Sequence, residues 1–180
     1  MDQLSSQELS RLVKKAQNGS KKAFREIFER LSNKFFAYVH SRTSNRDDAL
    51  DIVQETFIEL WDALKRFKYK SKQAFYGFIF TIIKRKLYRY YKYKQKFVPL
   101  NEKVISDSHE MKTENYQYLL KHVNALAQKH QDLLRLRYWS GMTFGEIASV
   151  LNIKETTAKV WHHRAIKKLQ ALLEKYGNTI

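Results

Sequence analysis

The chain has 180 residues, no cysteine, and 34 Lys and Arg against 18 Asp and Glu, which gives a formal net charge of +16. Disulfides and cysteine metal sites are therefore excluded, and the charge indicates a polyanionic partner such as DNA, RNA or an anionic membrane surface. No apolar run approaches the roughly 20 residues of a membrane span, and no signal peptide is recognisable, so we expect a cytoplasmic protein without membrane insertion. One proline and five glycines indicate an all-α fold.

Three amphipathic helices are predicted in the first third of the chain. Ser5 and Glu8 form a capping-box pattern at the start of the first helix, and Asn18-Gly19 ends it. Ser20 can cap the second helix, and a polar break over 41–45 precedes a third helix over 46–65. Apolar residues recur at helical spacing in all three, so we expect them to share a core.

The third helix carries a row of acidic side chains in an otherwise basic chain. Asp47, Asp51, Glu55 and Glu59 follow one another at intervals of four and share one face. The face is compatible with a solvated acidic stripe, with a Mg²⁺ site in a nuclease, or with a docking surface for a basic protein partner. Neither an HxxxH nor an ExxH spacing supplies further ligands, and no other helix offers facing carboxylates, which argues against the metal site.

Residues 65–96 combine positive charge with aromatic rings. They hold twelve Lys or Arg and no Asp or Glu, and they predict a short basic loop over 68–71 followed by a long fourth helix from Ser71. Such a surface suits nucleic-acid phosphates and stacked, exposed bases. The helical period places part of the apolar set in the core: Phe75, Phe78, Ile79, Ile82 and Ile83. Tyr88, Tyr90 and Tyr91 surround the helix, so one apolar face cannot bury them all.

The composition changes after residue 96. Residues 97–114 contain the only proline, Pro99, and no sustained period, so we predict a flexible linker between domains at 1–96 and 115–180. Helical periodicity returns from Tyr116 to Leu126 and again over 131–138.

Residues 140–169 predict a helix-turn-helix. Thr143 and Glu146 form a second capping box, and Asn152 lies in the turn, where left-handed geometry is useful. Ala148 and Ala158 are small, as two closely crossing helices require. In a DNA-binding helix-turn-helix the second helix enters the major groove. An ordinary hairpin with a solvated basic face is the alternative, but the surrounding charge favours DNA.

Three motifs resemble those of the bacterial sigma-70 class of sigma factors, in its extracytoplasmic-function group. Asp-Ile-Val-Gln-Glu-Thr-Phe at 51–57 resembles the D-x-V-Q-E-x-F motif of that family. Residues 74–83 look like the following segment of its second conserved region, and residues 141–169 are similar to its fourth-region helix-turn-helix. The resemblance implies a transcription initiation factor with a region 2-like domain at 1–96 and a region 4-like domain at 115–180, without catalytic residues or a cofactor.

The resemblance also implies partners and site residues. Asp51, Gln54 and Glu55 are expected to face the coiled coil of the core polymerase β′ subunit, and a contact with the β subunit is implied as well. The expected contacts with the −10 element of promoter DNA are Lys65, Arg66, Lys68, Phe75, Tyr76, Lys84, Arg85, Tyr88 and Arg89. The expected contacts with the −35 element are Glu155, Thr156, Thr157, Lys159, Val160, His163, Arg164 and Lys167. An anti-sigma protein, often membrane-tethered, is a further partner in this family.

Several positions depart from the residues that are common in the family, including Phe78, Arg85, Ala158, Val160 and Trp161. The promoter sequence therefore stays open. Two other functions also remain as alternatives: a helix-turn-helix regulator that binds operators without joining polymerase, and a metal-dependent nuclease that uses the acidic cluster.

Overall fold

The structure is a computed structural model that describes residues 4–97 and 114–177, with the side chains of 4–94 and 117–175. Over these residues it is all-helical. The helices are α1 Ser6–Gln17, α2 Lys21–His40, α3 Arg46–Leu64, α4 Lys72–Phe97, α5 Glu114–Asn124, α6 Gln128–Leu134, α7 Phe144–Leu151 and α8 Glu155–Gly177, and α6 continues into a π-helical turn over Arg135–Trp139. None of the described helices has the length and apolar character needed to traverse a lipid bilayer.

The predicted helix ends are confirmed where capping residues define them. The Ser5 hydroxyl accepts a hydrogen bond from the Glu8 amide, and the Glu8 carboxylate accepts one from the Ser5 amide. Gly19, with φ of +90°, follows the end of α1. Asn45 caps α3 by accepting from the Asp48 amide at 2.8 Å, a cap that the helical period alone does not indicate.

Helices α1 to α4 enclose a core of the predicted apolar stripes. The Phe35 ring lies 5.8 Å from the Tyr76 ring and 6.5 Å from the Phe57 ring, both edge to face. Phe75 has no exposed surface. Rings in this geometry add a little to the free energy that burial itself contributes.

Helices α5 to α8 form the C-terminal half. Helix α6 begins at Gln128, three residues before the predicted start. The sequence did not indicate this start, because residues 128–130 are polar and show no apolar period. Gln131 lies inside that helix, and its side-chain amide donates to the carbonyls of Asn124 and Leu126. Most of the predicted linker lies outside the described residues, and the domain boundaries stay a prediction.

The two halves pack against each other. Helix α7 lies along α4, and α2 contacts the π-helical turn that follows α6. The placement of one half on the other could not be predicted from the helical period, which reports only that a helix has a buried face.

Candidate nucleic-acid and protein interface

The exposed face of α3 presents the acidic residues that the sequence singles out. Asp51, Gln54 and Glu55 are all exposed. The ammonium of Lys86 on α4 lies 2.9 Å from the Glu55 carboxylate and 3.4 Å from that of Glu59. The fourth helix thus neutralises part of the acidic row, and Asp51 remains exposed at the solvent side.

An apolar groove lies beside these polar residues. Ile58 keeps 66% of its surface exposed. It borders a hollow of about 390 Å³ whose remaining lining residues are Phe24, Phe28, Gln54, Phe57 and Trp61. A large exposed aliphatic side chain next to a rim of charge is typical of a protein docking surface. The sequence carried a signal for this groove, because Ile58 falls outside the buried stripe of α3.

The carboxylates do not gather into a metal site in the described part of the chain. No group of three or more His, Cys, Asp or Glu is placed there to hold an ion. Glu59 instead pairs with Arg85 and Lys86.

A second hollow, of about 700 Å³, opens at the junction of α3 and α4. The lining residues are Glu59, Asp62, Ala63, Lys65, Arg66, Phe67, Lys68 and Phe78. The Phe67 and Phe78 rings stack at 4.6 Å with an interplanar angle of 17°. Both rings are partly buried. Their position at a cationic rim suits an unpaired base that leaves its helical stack.

The cations of α4 continue from this hollow along the helix. Phe78, Arg85 and Arg89 follow at intervals of seven and four residues and therefore share one side of α4. Lys84 and Tyr88 lie next to them, and Tyr88 keeps 67% of its surface exposed. Arg85 and Arg89 are exposed as well. This side can contact phosphates beyond the base held in the hollow.

The three tyrosines of α4 that one face cannot bury have different environments. Tyr88 is exposed, as described above. The Tyr90 hydroxyl donates to the Asp48 carboxylate at 2.8 Å, and the Tyr91 hydroxyl donates to the Arg42 carbonyl at 2.6 Å. Burial raises the pKa of Tyr91. Tyr90 and Tyr91 thus tie α4 to neighbouring elements.

Two of the residues expected at the −10 element are buried in this conformation. Phe75 has no exposed surface, and Tyr76 keeps 2%. Burial raises the pKa of the Tyr76 hydroxyl. Phe75 lies on the side of α4 that faces the core, as the helical period also predicts. Its buried ring cannot contact DNA in this conformation. Tyr76 is different, because it lies where α7 approaches α4.

The helix-turn-helix has the predicted geometry. Thr143 and Glu146 complete the second capping box, and Asn152 adopts left-handed geometry with φ of 54°. Ala148 is 5% exposed and Ala158 is fully buried, so the two helices cross closely. The predicted contacts on α8 are exposed at Glu155, Thr156, Lys159, Val160, His163, Arg164 and Lys167, with Thr157 partly buried.

Two other residues of α8, Trp161 and His162, face the rest of the C-terminal half. The Tyr138 hydroxyl and the His162 Nε2 atom lie 2.9 Å apart, and the Lys129 ammonium lies 5.0 Å from the centre of the Trp161 ring. Burial, followed by the nearby charge of Arg137, lowers the pKa of His162. His162 is thus a hydrogen-bond partner of Tyr138 within the C-terminal half.

Both halves match family models of one protein class. The model described as Sigma-70 region 2 matches residues 27–97, and the model described as Sigma-70, region 4 matches residues 116–169. The two matches stand in the family's order and together cover most of the chain.

Individual relatives agree with these matches. The extracytoplasmic-function RNA polymerase sigma factor BldN of Streptomyces coelicolor is 24% identical over 171 residues, which are 90% of this chain and 64% of that protein. The extracytoplasmic-function RNA polymerase sigma-E factor of Haemophilus influenzae is 24% identical over 177 residues, 88% of this chain and 92% of that protein. Among solved structures, CnrH in complex with the cytosolic domain of CnrY has a TM-score of 0.69 at 22% identity, with 91% of this chain and 96% of that chain covered.

The sequence motifs, the two matched regions and these relatives point to the same class. The chain belongs to the extracytoplasmic-function group of the sigma-70 family of RNA polymerase sigma factors.

Proposed function

We propose that this sigma factor joins core RNA polymerase through α3 and directs initiation at a promoter with two separate recognition elements. The observation that carries the proposal is the presence of three different surfaces on one chain. An acidic and apolar face on α3 suits a protein, the aromatic hollow with the cations of α4 suits opened DNA, and the cationic face of α8 suits an intact groove.

The polymerase contact is assigned to the exposed residues of α3. Asp51, Gln54 and Glu55 supply charge and hydrogen-bonding groups, and Ile58 supplies apolar surface about one turn further along the same helix. An interface of this kind gains specificity from charge complementarity and affinity from the apolar surface that it removes from water. The coiled coil of the β′ subunit is the partner proposed for this face.

Opened promoter DNA is assigned to the hollow at Phe67 and Phe78 and to the adjoining loop. Lys65, Arg66 and Lys68 are exposed at its rim. Stacking of a base on an aromatic ring is worth about 1–3 kcal/mol by alanine substitution and tolerates different bases. Strand opening therefore needs no nucleotide hydrolysis, since the protein stabilises bases that have already left the duplex.

Duplex DNA at the −35 element is assigned to α8. Glu155, Thr156 and Lys159 lie at its N-terminal end, which a helix-turn-helix directs toward base edges. Lys159 also pairs with Glu155 at 2.8 Å, so these two side chains orient each other before DNA binds. His163, Arg164 and Lys167 are exposed further along α8, and we assign them to phosphates along the groove.

A regulator that binds operators without polymerase would use α8 alone. It would have no need for the exposed aromatic and cationic face of α4 or for the apolar groove beside Gln54. Within residues 4–97 and 114–177, no feature favours that alternative.

The proposal includes an anti-sigma partner and a cytoplasmic location, where core polymerase acts. One structural relative, the sigma factor RpoE of Bartonella quintana, was solved in complex with the anti-sigma factor NepR. For this chain the partner would cover the polymerase and DNA faces. Recovery of polymerase alone in a pull-down from membrane and soluble extracts would remove this part of the proposal.

Run-off transcription tests the proposed function. Purified core enzyme and the full chain are incubated with sheared fragments of the source genome, and the transcripts are mapped. We expect discrete start sites that depend on the added chain. If no fragment yields a chain-dependent start site, the function is not that of an initiation factor.

A further inference from the structure

We propose that a cationic hollow between the loop after α2, the end of α4 and the turn after α6 binds the phosphate group of a small molecule of about nucleotide size. The hollow has a volume of about 420 Å³. It shares no lining residue with the apolar groove at Ile58 or with the aromatic hollow at Phe67. The site therefore does not depend on the proposed function.

The charged side chains that line the hollow are all cations in the described part of the chain: Arg42, Lys94 and Arg135. Two carboxylates lie close by without lining it. Asp132 lies 3.3 Å from the Arg42 guanidinium, and Asp48 lies 3.3 Å from the Lys94 ammonium. Three cations against two carboxylates leave one positive charge without a counterion at the hollow.

That charge belongs to Arg135, which is held by neutral groups. Its two terminal nitrogens donate to the side-chain oxygens of Gln131, at 3.0 Å, and of Asn124. Only 2% of Arg135 is exposed. Burial, followed by the nearby charge of Arg42, lowers the pKa of Arg135. A buried cation without a countercharge is costly, so an anion in the hollow would stabilise it.

The two guanidinium groups also keep unused donors. Among the described side chains, the Nε atoms of Arg42 and Arg135 are buried and have no hydrogen-bond partner. A buried donor without an acceptor costs free energy. A ligand oxygen that draws either group toward the hollow would supply the acceptor. Phosphate suits this role, because a guanidinium group matches its oxygens with two parallel hydrogen bonds.

The size and the walls of the hollow indicate a ligand larger than an inorganic ion. Pockets for small molecules usually measure about 300–1,000 Å³, and this hollow falls in that range. The rings of Tyr90 and Tyr91 also line it, with their centres 5.5 Å apart and edge to face. A ring of the ligand can pack on them while its phosphate faces the cations. A nucleotide meets both requirements.

The depth of the cations favours a small molecule over a nucleic acid. The side chain of Arg42 is 14% exposed, and Arg135 is more deeply placed. The phosphates of a duplex lie on a stiff convex backbone, which suits exposed cations such as those of α8. A small molecule can enter a recessed hollow without such a constraint.

The lining residues come from both halves of the chain. Arg42 and Lys94 belong to the N-terminal half, and Arg135 belongs to the C-terminal half. A ligand that contacts all three binds only while these residues are together. By mass action it therefore raises the stability of the folded chain as its concentration rises.

Titration calorimetry with the full chain tests the site. The probes are adenosine 5′-monophosphate, inorganic phosphate and adenosine, all at one fixed ionic strength. We expect saturable one-to-one binding of adenosine 5′-monophosphate with a Kd below about 1 mM, weaker binding of inorganic phosphate in competition with it, and none of adenosine. The nucleotide should also raise the thermal midpoint. If neither phosphate compound binds, the proposal is wrong.

Two lysines of α4 provide a matched pair of variants. Lys94→Gln removes a lining cation and should weaken nucleotide binding about tenfold, as expected for one charge-assisted hydrogen bond. Lys92→Gln removes the same charge from an exposed residue of the same helix that does not line the hollow, and should leave the Kd unchanged. Arg135→Gln should abolish the rise in thermal midpoint. Its helical signal by circular dichroism checks that it is folded, and the lysine pair decides the matter if it is not.

The outcomes separate a site from general attraction to a basic chain. Equal weakening by Lys94→Gln and Lys92→Gln would mean that phosphate only screens the net charge of +16, and would overturn the proposal. Displacement of the nucleotide by a short duplex without promoter sequence, in wild type but not in Lys94→Gln, would assign the hollow to nucleic acid instead. Polymerase takes no part in these measurements, so their failure leaves the proposed function intact, and a failure of run-off transcription leaves the site intact.

Discussion

Ile58→Ala should weaken the complex with core polymerase without unfolding the chain. The substitution removes three carbons, worth about 0.8 kcal/mol each when fully buried. Because 66% of the side chain is exposed in the free protein, only that fraction is gained from the partner. The expected loss is therefore about 1.6 kcal/mol, or roughly fifteenfold in Kd.

The assay is a titration of labelled chain with core enzyme, read by fluorescence anisotropy. Val160→Ala is the matched control, since Val160 is also an exposed aliphatic residue, 47% accessible, but lies on α8. We expect its affinity for core enzyme to stay at the wild-type value. Urea unfolding should give the same midpoint for Ile58→Ala and the wild type. An unchanged Kd for Ile58→Ala would refute the assignment of the apolar groove to the polymerase.

Further predictions concern the charged faces and the two domains. Asp51→Lys combined with Glu55→Lys should weaken core binding while the helical signal by circular dichroism is unchanged; unaltered core affinity would mean that the docking face lies elsewhere. Lys167→Gln should reduce the slope of log K against log salt for promoter binding by about 0.9, the value for one phosphate contact, and an identical slope would remove Lys167 from the phosphate contacts. Phe67→Ala should lower the stability of the open complex by about 1–3 kcal/mol if one base stacks there, measured by permanganate footprinting against duplex binding, which should not change. Ala158→Leu should destabilise the helix-turn-helix by about 1–3 kcal/mol through overpacking, seen as a lower urea midpoint; an unchanged midpoint would contradict the close crossing of α7 and α8.

Much of the local structure could be predicted because short-range rules determine it. The capping boxes at Ser5 and Thr143 need only two residues three positions apart, and Asn152 in the turn needs only its tolerance of left-handed geometry. The core stripes of α1 to α4 follow from helical spacing in the same way.

The arrangement of the halves could not be predicted, because it depends on pairs that are far apart in sequence. Glu146 reads as a capping residue, and it is one, but its burial between Lys34 and Lys72 requires the other half of the chain. Tyr76 was expected to contact an exposed base, but it is 2% exposed and its ring packs edge to face on Phe35 of α2. A helical period reports which face is buried and carries no information about the element that buries it.

The apolar groove and the aromatic hollow could be predicted only in part. Ile58 is visible in the sequence as an apolar residue outside the buried stripe of α3. Phe67 is one of the rings in the basic stretch, but its stacking on Phe78 follows from the path of the loop between α3 and α4. Aromatic residues at helical spacing usually belong to a core, and the geometry is needed to show that one edge of this pair faces a hollow.

The affinity of the purified full chain for core RNA polymerase tests the central claim most directly. Sedimentation or anisotropy at moderate salt should show saturable one-to-one binding that competes with another sigma factor of the same class. The account is contradicted if the chain fails to bind core enzyme under conditions in which it still binds DNA.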